Sequence, residues 1–456
     1  MRTTRKRRNI LKSKLSLFMP RRLVSQLLAK RTQSPCRDSL TRPDGRVWAL
    51  VAIGLTTVLP GCASDAPGME AGCQTTIMVG VDGMRWDYPG KFDLPTFQDI
   101  RKRGVYADRL VPIFPTKTFP NFYALATGLF ANHTGILDNT MYDPVMDSRF
   151  RMSDSNAVRD ERWWQGEPIW STAERQGCRA AAQFWPGTEA SVAGYRPSYW
   201  KAYDGSVTND QRVEQVLAWL GQADSTRPGL IMMYFSSIDE TAHRMGPDAP
   251  ETAAAARNID KQVAKLLNGI DRLGKTNETN VVIVSDHGLA TTTGDQTIYL
   301  DELVDLDLAK PVSTGEHVTL WPKPEDVDDV YLALAEAHPA LTVYKRDDLP
   351  ARFHLSGHRR TPPIVAVPAT GWSVRRSRNP DRPPRAVGGA HGYDNADRRM
   401  HGVFMAVGPA FRSGAHVDSL RSVDVYDIVA SALSLEPAPN DGDPSAIPHL
   451  MIQPQH

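Results

Sequence analysis

Val281-Val282-Ile283-Val284-Ser285-Asp286-His287-Gly288 is an unbroken β-branched run that stops at a carboxylate, an imidazole and a glycine. A run without polar alternation suits a strand buried on both faces, as in a parallel sheet. In open parallel sheets ligands bind beyond the carboxyl ends of the strands. The residues just past each run are therefore where chemistry is expected. Thr76–Val81, Leu230–Phe235 and Gly402–Val407 share the texture of the first run. Asp82-Gly83 follows Thr76–Val81, and Ser236-Ser237-Ile238-Asp239, then His243, follows Leu230–Phe235. Gly388-Gly389-Ala390-His391-Gly392-Tyr393-Asp394 lies ahead of Gly402–Val407. Between the runs lie helical patterns, clearest from Glu251 to Asp271, where Ile259, Val263, Leu266, Leu267 and Ile270 share one face. Strand and helix alternate, which predicts an α/β doubly wound sheet.

Each fragment alone has an ordinary explanation. An Asp after a strand commonly caps a turn or helix, and Asp-x-x-x-His is commonly a surface contact. Together they are fragments of one chemical type at places a parallel sheet brings together, which predicts a shared metal site. Asp239 and His243, spaced i, i+4, would share one helix face. Mixed carboxylate and imidazole donors favour zinc over magnesium, which prefers an all-oxygen shell. Thr118 stands in Phe114-Pro115-Thr116-Lys117-Thr118-Phe119-Pro120-Asn121, ahead of a helical pattern that ends near Gly128. That places it at or near a helix N-terminus, whose free N–H groups and positive dipole end suit a phosphate. The same position is also a common cap site.

Composition narrows the class. Residues 1–61 carry 14 Lys/Arg and two Asp/Glu, so the rest of the chain is acidic although the whole is formally +1. A non-specific nucleic-acid coat, which needs a basic face, is disfavoured. Val47–Leu59 is an apolar run too short for the roughly 20 residues of a spanning helix, and it fits the core of a secretory signal. Leu59-Pro60-Gly61-Cys62 resembles a lipoprotein processing box, with Cys62 as the lipidated residue. Export to a periplasm, with a possible outer-membrane lipid anchor, is the expectation. Cys73 and Cys178 remain outside that region, each just ahead of a predicted strand. They are either bridged, as an oxidising compartment permits, or isolated small core residues. The organisation read from these patterns is a targeting region over 1–61, a linker over 62–74, a core over 75–299 and 373–445, a small inserted lobe over 300–372, and a tail over 446–456. Within the lobe, a helix at Asp326–Ala337 and strands at His317–Trp321 and Leu341–Lys345 are predicted.

Val81-Asp82-Gly83, Lys117–Asn121, Gly135–Asn139 with Met141-Tyr142-Asp143-Pro144, Asp239 with His243, Asp286-His287-Gly288 and Gly388–Asn395 resemble, in that order, the motif set of the nucleotide pyrophosphatase/phosphodiesterases of the alkaline phosphatase superfamily. The likeness spans about residues 75–440 and looks like the bare catalytic domain of a bacterial form. It implies an alkaline phosphatase-like, mostly parallel central sheet and two Zn²⁺ per chain. One ion would be held by Asp239, His243 and His391, the other by Asp82, Asp286, His287 and Thr118. It further implies that Thr118 is the nucleophile and Asn139 a donor to a phosphate oxygen. Phe119 would stack on a nucleobase in a pocket completed by Tyr203 and Tyr234, whose alternative role is core packing. The expected substrate is a nucleotide phosphodiester or pyrophosphate, cleaved to a nucleoside 5′-monophosphate through a covalent threonine intermediate. The competing readings keep the fold and metals but act on choline phospholipids, phosphonates or phosphate monoesters. A catalytically silent binding module would have no need of the complete ligand set.

Overall fold

A computed structural model describes residues 73–452. The proposed signal and Cys62 lie outside the described residues. A mixed sheet of nine strands organises the fold. Its strands are β1 (Thr75–Val81), β2 (Val105–Val111), β3 (Ala180–Gln183), β4 (Tyr199–Lys201), β5 (Leu230–Phe235), β6 (Thr279–Val284), β7 (Gly402–Val407), β8 (Ala415–Val417) and β9 (Leu420–Arg421). The order is β8-β2-β7-β6-β1-β5-β3-β4, with β9 also beside β2. The pairs β6/β1, β1/β5, β5/β3 and β3/β4 are parallel. Strand β7 runs antiparallel to both β6 and β2. Its continuous apolar run signals burial on two faces, not direction, because helices cover an inserted antiparallel strand as well as a parallel one.

Every residue of β1 is buried, and its side chains divide by the two-residue strand period. Ile77, Val79 and Val81 pack on the face covered by α3 (Pro250–Arg272), with Ile259, Val263, Leu266 and Ile270. Met78 points to the opposite face, toward Phe122 and Leu125 of α1 (Thr118–Thr127) and Ile428 and Val429 of α4 (Val425–Leu433). Each such side chain contributes about 1.5–3 kcal/mol of burial. Helix α1 can lie this close to β1 because residue 80 is glycine; a Cβ there would sit 2.5 Å from Phe122 and 2.8 Å from Trp185.

Cys73 and Cys178 are joined by a disulfide that ties the start of β1 to the approach to β3. Residues 311–368 form a separate four-stranded antiparallel sheet, ordered Pro311–Ser313, Val318–Leu320, Ile364–Pro368, Leu341–Lys345. With the helix Val327–Ala335 it encloses a core of its own that includes Leu320, Val330, Leu334, Val343 and Ala366. The chain leaves and re-enters beside the pair Thr297–Tyr299/Ser373–Arg375. Residues 447–452, read above as tail, fold back: Leu450 and Met451 are buried, and Ile452 N–H donates to Ala410 O. Among the described residues, no helix is long and apolar enough to cross a membrane.

Candidate active site

The strand ends converge as the doubly wound topology requires. Asp82 follows β1, and Asp286 and His287 follow β6. Asp239 and His243 lie one turn apart on α2 (Ser237–Met245), the helix entered directly from β5. His391 follows the short strand Val387–Ala390, which pairs with Ala290–Thr293 just beyond β6. His243 Nε2 is 3.3 Å and His391 Nε2 3.7 Å from Asp239 Oδ1. His287 Nε2 is 2.9 Å from Asp286 Oδ2, 3.5 Å from Asp82 Oδ1 and 3.4 Å from Thr118 Oγ1. The His287 and His391 rings stack at 3.6 Å.

The hydrogen-bond pattern tests whether this cluster fits a metal. Nδ1 of His243, His391 and His287 lies against the carbonyl oxygens of Gly389 (2.8 Å), Thr116 (2.7 Å) and Gly288 (3.1 Å). A carbonyl only accepts, so each Nδ1 carries a hydrogen, which leaves Nε2 as the ring atom that can ligate a metal. Those Nε2 atoms face Asp82 Oδ1, Asp239 Oδ1 and Asp286 Oδ2, which are buried and have no hydrogen-bond partner among the described residues. Carboxylate oxygens and imidazole Nε2 atoms gathered in this way fit a divalent cation. The protein's own charges reinforce the point. Burial, then the charges of Asp286 and Asp239, push the Asp82 carboxyl well above its usual range. Burial raises Asp239 as well, only partly countered by His243 and His287. Burial, with His287, His243 and Lys117 nearby, holds His391 well below an ordinary imidazole. Ligand atoms of Asp239, His243 and His391 lie within 4.8 Å of one another, as do those of Asp82, Asp239 and His287. The first set is the one expected from sequence. Asp286 stands beside the second set: its Oδ1 accepts Gly83 N–H at 3.2 Å, and its Oδ2 is 2.9 Å from His287 Nε2.

Thr118 is the first residue of α1, with Lys117 in the cap position. Asn121 locks the approach to it: Oδ1 accepts Ile113 N–H (2.7 Å), and Nδ2 donates to Pro115 O and Lys117 O (3.0 Å each). Asn139 Oδ1 accepts the free N–H of Phe119 at 2.9 Å. That bond satisfies one orphan donor of the helix start and leaves the Asn139 NH₂ group to donate. Lys117 Nζ donates to Glu316 Oε2 (3.0 Å) and His391 O (3.1 Å). Its path requires Gly392, where φ is +112° and a Cβ would stand 2.4 Å from Lys117 Cε.

A cavity of about 410 Å³ opens beside Thr118 and Asp82. Phe119, Tyr203 and Tyr234 all line it, joined by Phe184, Trp185, Arg159 and Glu189. Tyr203 is half exposed and meets Phe184 and Tyr234 edge to face at 5.5 and 6.2 Å. Tyr234 does more than line the wall, since its hydroxyl donates to Asp82 Oδ2 at 2.5 Å. Sequence reading missed Phe184-Trp185, although they stand just past β3, where the strand-end rule looks. It also missed Glu189, which accepts from Arg159 Nε and from Tyr203 N–H at 3.0 Å each. That pairing is tertiary and leaves no local signal.

A mostly parallel sheet with Asp and His donors at its carboxyl edge, beside a helix-initial hydroxyl, is an arrangement that suits metal-dependent hydrolysis of a phosphoric ester. The family model for type I phosphodiesterase / nucleotide pyrophosphatase matches residues 76–394. Human ectonucleotide pyrophosphatase/phosphodiesterase family member 5 is 35% identical over 395 residues, 87% of this chain and 80% of that protein. A bis(5′-adenosyl)-triphosphatase of Xenopus laevis is 32% identical over 404 residues, covering 87% and 85% respectively. The structure of an inactive Thr-to-Ala variant of murine family member 5 in complex with AMP superposes with a TM-score of 0.79 at 34% identity, covering 83% of this chain and all of that one. The chain belongs to the nucleotide pyrophosphatase/phosphodiesterase family.

Proposed function

We propose that the protein is a two-zinc hydrolase that cleaves nucleotide phosphodiester and pyrophosphate bonds through Thr118 and releases nucleoside 5′-monophosphates. One observation carries this reading: three imidazole Nε2 atoms and three carboxylate oxygens without a hydrogen-bond partner among the described residues gather where α1 begins with a hydroxyl. Asp239, His243 and His391 would hold one ion, and Asp82, Asp286, His287 and Thr118 the other. When bound, such a pair lowers the pKa of a coordinated hydroxyl or water and offsets charge on the transferring phosphoryl group.

The chain's own residues supply the rest. Thr118 Oγ1, its proton passed to solvent water, attacks phosphorus in line; the P–O bond to the leaving group breaks, and the group departs as pyrophosphate or, taking a proton from water, as the alcohol. Water then displaces the threonine oxygen from phosphorus, freeing the nucleoside 5′-monophosphate. Two inversions give net retention at phosphorus. The Asn139 NH₂ group, oriented by the Phe119 N–H bond, donates to a non-bridging oxygen. Phe119 and Tyr203 supply aromatic faces for the base. Tyr234 fixes Asp82 and closes the inner wall. The nearby cations are already paired, Lys117 with Glu316 and Arg159 with Glu189, which supports a singly charged diester over a doubly charged monoester. Export and lipidation at Cys62 complete the proposal.

A substrate panel with product identification tests it, comparing ATP, cyclic and linear dinucleotides, phosphate monoesters and choline phospholipids. Nucleoside 5′-monophosphate from the nucleotides is the expected product. Turnover confined to monoesters or phospholipids would overturn the substrate assignment.

A further inference from the structure

Two consecutive residues of the 300–372 segment each grip the chain neighbour of a residue that handles phosphate. Glu316 Oε2 accepts from Lys117 Nζ at 3.0 Å, beside Thr118. His317 Nδ1 donates to Asp138 Oδ2 at 2.6 Å, beside Asn139. Both contacts are sheltered: the side chains of His317 and Asp138 are 1% and 3% exposed, and those of Lys117 and Glu316 12% and 14%. Glu316 and His317 occupy the bend between Gly315 and the strand that starts at Val318, and their side chains reach two separate segments. The dipeptide is itself anchored. Gly315 and Val374 exchange both backbone hydrogen bonds, at 2.8 and 2.9 Å, and Glu316 Oε1 accepts from Ser373 Oγ at 3.1 Å.

The grip reaches the reacting groups through short rigid links. Asp138 Oδ1 accepts Thr140 N–H at 3.2 Å, so Asp138 spans Asn139. Asn139 in turn holds Phe119 N–H, which closes a ring through Lys117, Thr118, Phe119, Asn139, Asp138, His317 and Glu316. We infer that Glu316 and His317 are positioning residues, a clamp by which the small lobe sets the relative placement of Thr118 and Asn139. The inference rests on the proposed roles of those two residues. It gives the lobe a catalytic purpose that does not depend on contact with substrate. His317 Nε2 has no hydrogen-bond partner among the described residues; the buried ring is held by its Nδ1 contact and by edge-to-face packing on Phe114 at 5.3 Å.

The test uses the full chain and bis-p-nitrophenyl phosphate. Misplacement of reacting groups by about 1 Å costs about 100-fold in rate, so His317→Phe should lower kcat by that order. KM and the affinity for AMP should stay near the parent values. His317→Asn, which keeps a donor at the Nδ1 position, should recover most of the loss. In an Asn139→Ala background His317→Phe should cost little more, because it acts through Asn139. Glu316→Ala, the variant to use if His317→Phe does not fold, should lower kcat with the same KM split. Parent kcat in the folded variants, or a full multiplicative loss in the Asn139→Ala background, would overturn the clamp. Amide exchange over residues 113–121 and 136–143 separates this idea from the proposed function. It should quicken in the clamp variants even if Thr118→Ala shows the nucleophile to be misassigned, and unchanged exchange would refute the clamp by itself.

Discussion

Replacing Asn139 separates two jobs of one side chain, one seen in the structure and one proposed. Its Oδ1 accepts the Phe119 N–H at 2.9 Å, a bond of the helix-capping kind worth about 1 kcal/mol of stability. Its NH₂ group is assigned to a phosphate oxygen in the transition state. Loss of a preorganised donor of that type costs about 2.7–4 kcal/mol, or 10²–10³ in kcat. Asn139→Ala should lose both: kcat falls by that factor, and the melting temperature drops by only about 1–2 °C, since a chain of this size has a large unfolding entropy. Asn139→Asp keeps an acceptor for Phe119 N–H and places a negative charge at a helix start, where it is favourable. It loses the donor and repels phosphate, so stability should be kept while kcat falls at least as far as in the alanine variant. Steady-state hydrolysis of bis-p-nitrophenyl phosphate and thermal unfolding, measured on the same preparations, decide the matter. If Asn139→Asp retains the parent kcat, Asn139 is a cap and nothing more.

Thr118→Ala should abolish turnover while bound metal, measured by elemental analysis, remains; parent-like rates would remove the threonine nucleophile. Phe119→Ala should raise KM for nucleotide esters more than for bis-p-nitrophenyl phosphate, and equal increases would argue against base stacking. Asp143 is fully buried against Arg360, with Arg359 also in contact; Asp143→Asn should cost about 3–5 kcal/mol in denaturant unfolding, as expected when one partner of a buried pair is removed. Burial pushes the Asp143 carboxyl up, but hydrogen bonds from Arg359 and Arg360 hold it, on balance, well below its usual range. Its contribution is thus present above the ordinary carboxyl value of about 3.9 and lost as pH falls through the depressed one, so the acid limb of the stability profile should flatten in the Asn variant.

The parts of the site that could be read in the sequence are those set by local rules. Asp82, Asp239 and Asp286 stand just past apolar runs, and a parallel sheet brings such positions together. Asp239 and His243 share a helix face by spacing alone. Thr118 at a helix start and Gly128 closing that helix, with φ +67°, follow from helix-end chemistry. The strand Leu341–Lys345 and the helix Val327–Ala335 fall where alternation and periodicity put them. What escaped is tertiary. The direction of β7 depends on its partners, and its apolar run is the same either way. Strand β2 mixes Asp108 and Arg109 with Val105, Ala107 and Leu110, as a half-covered strand near the sheet edge does. The Tyr234 bond to Asp82, the Arg159–Glu189 pair and the grip of Glu316 and His317 join residues far apart in the chain, and composition carries no trace of them. Asp143 was visible as part of a motif, but its buried partner Arg360 lies 217 residues away.

The most direct test of the account counts metal and activity in one sample. Purified protein should contain two equivalents of zinc per chain, and dialysis against a chelator should remove metal and hydrolysis together. Adding zinc back should restore both in step. Protein that hydrolyses nucleotide diesters at its full rate after complete removal of divalent ions would contradict the account.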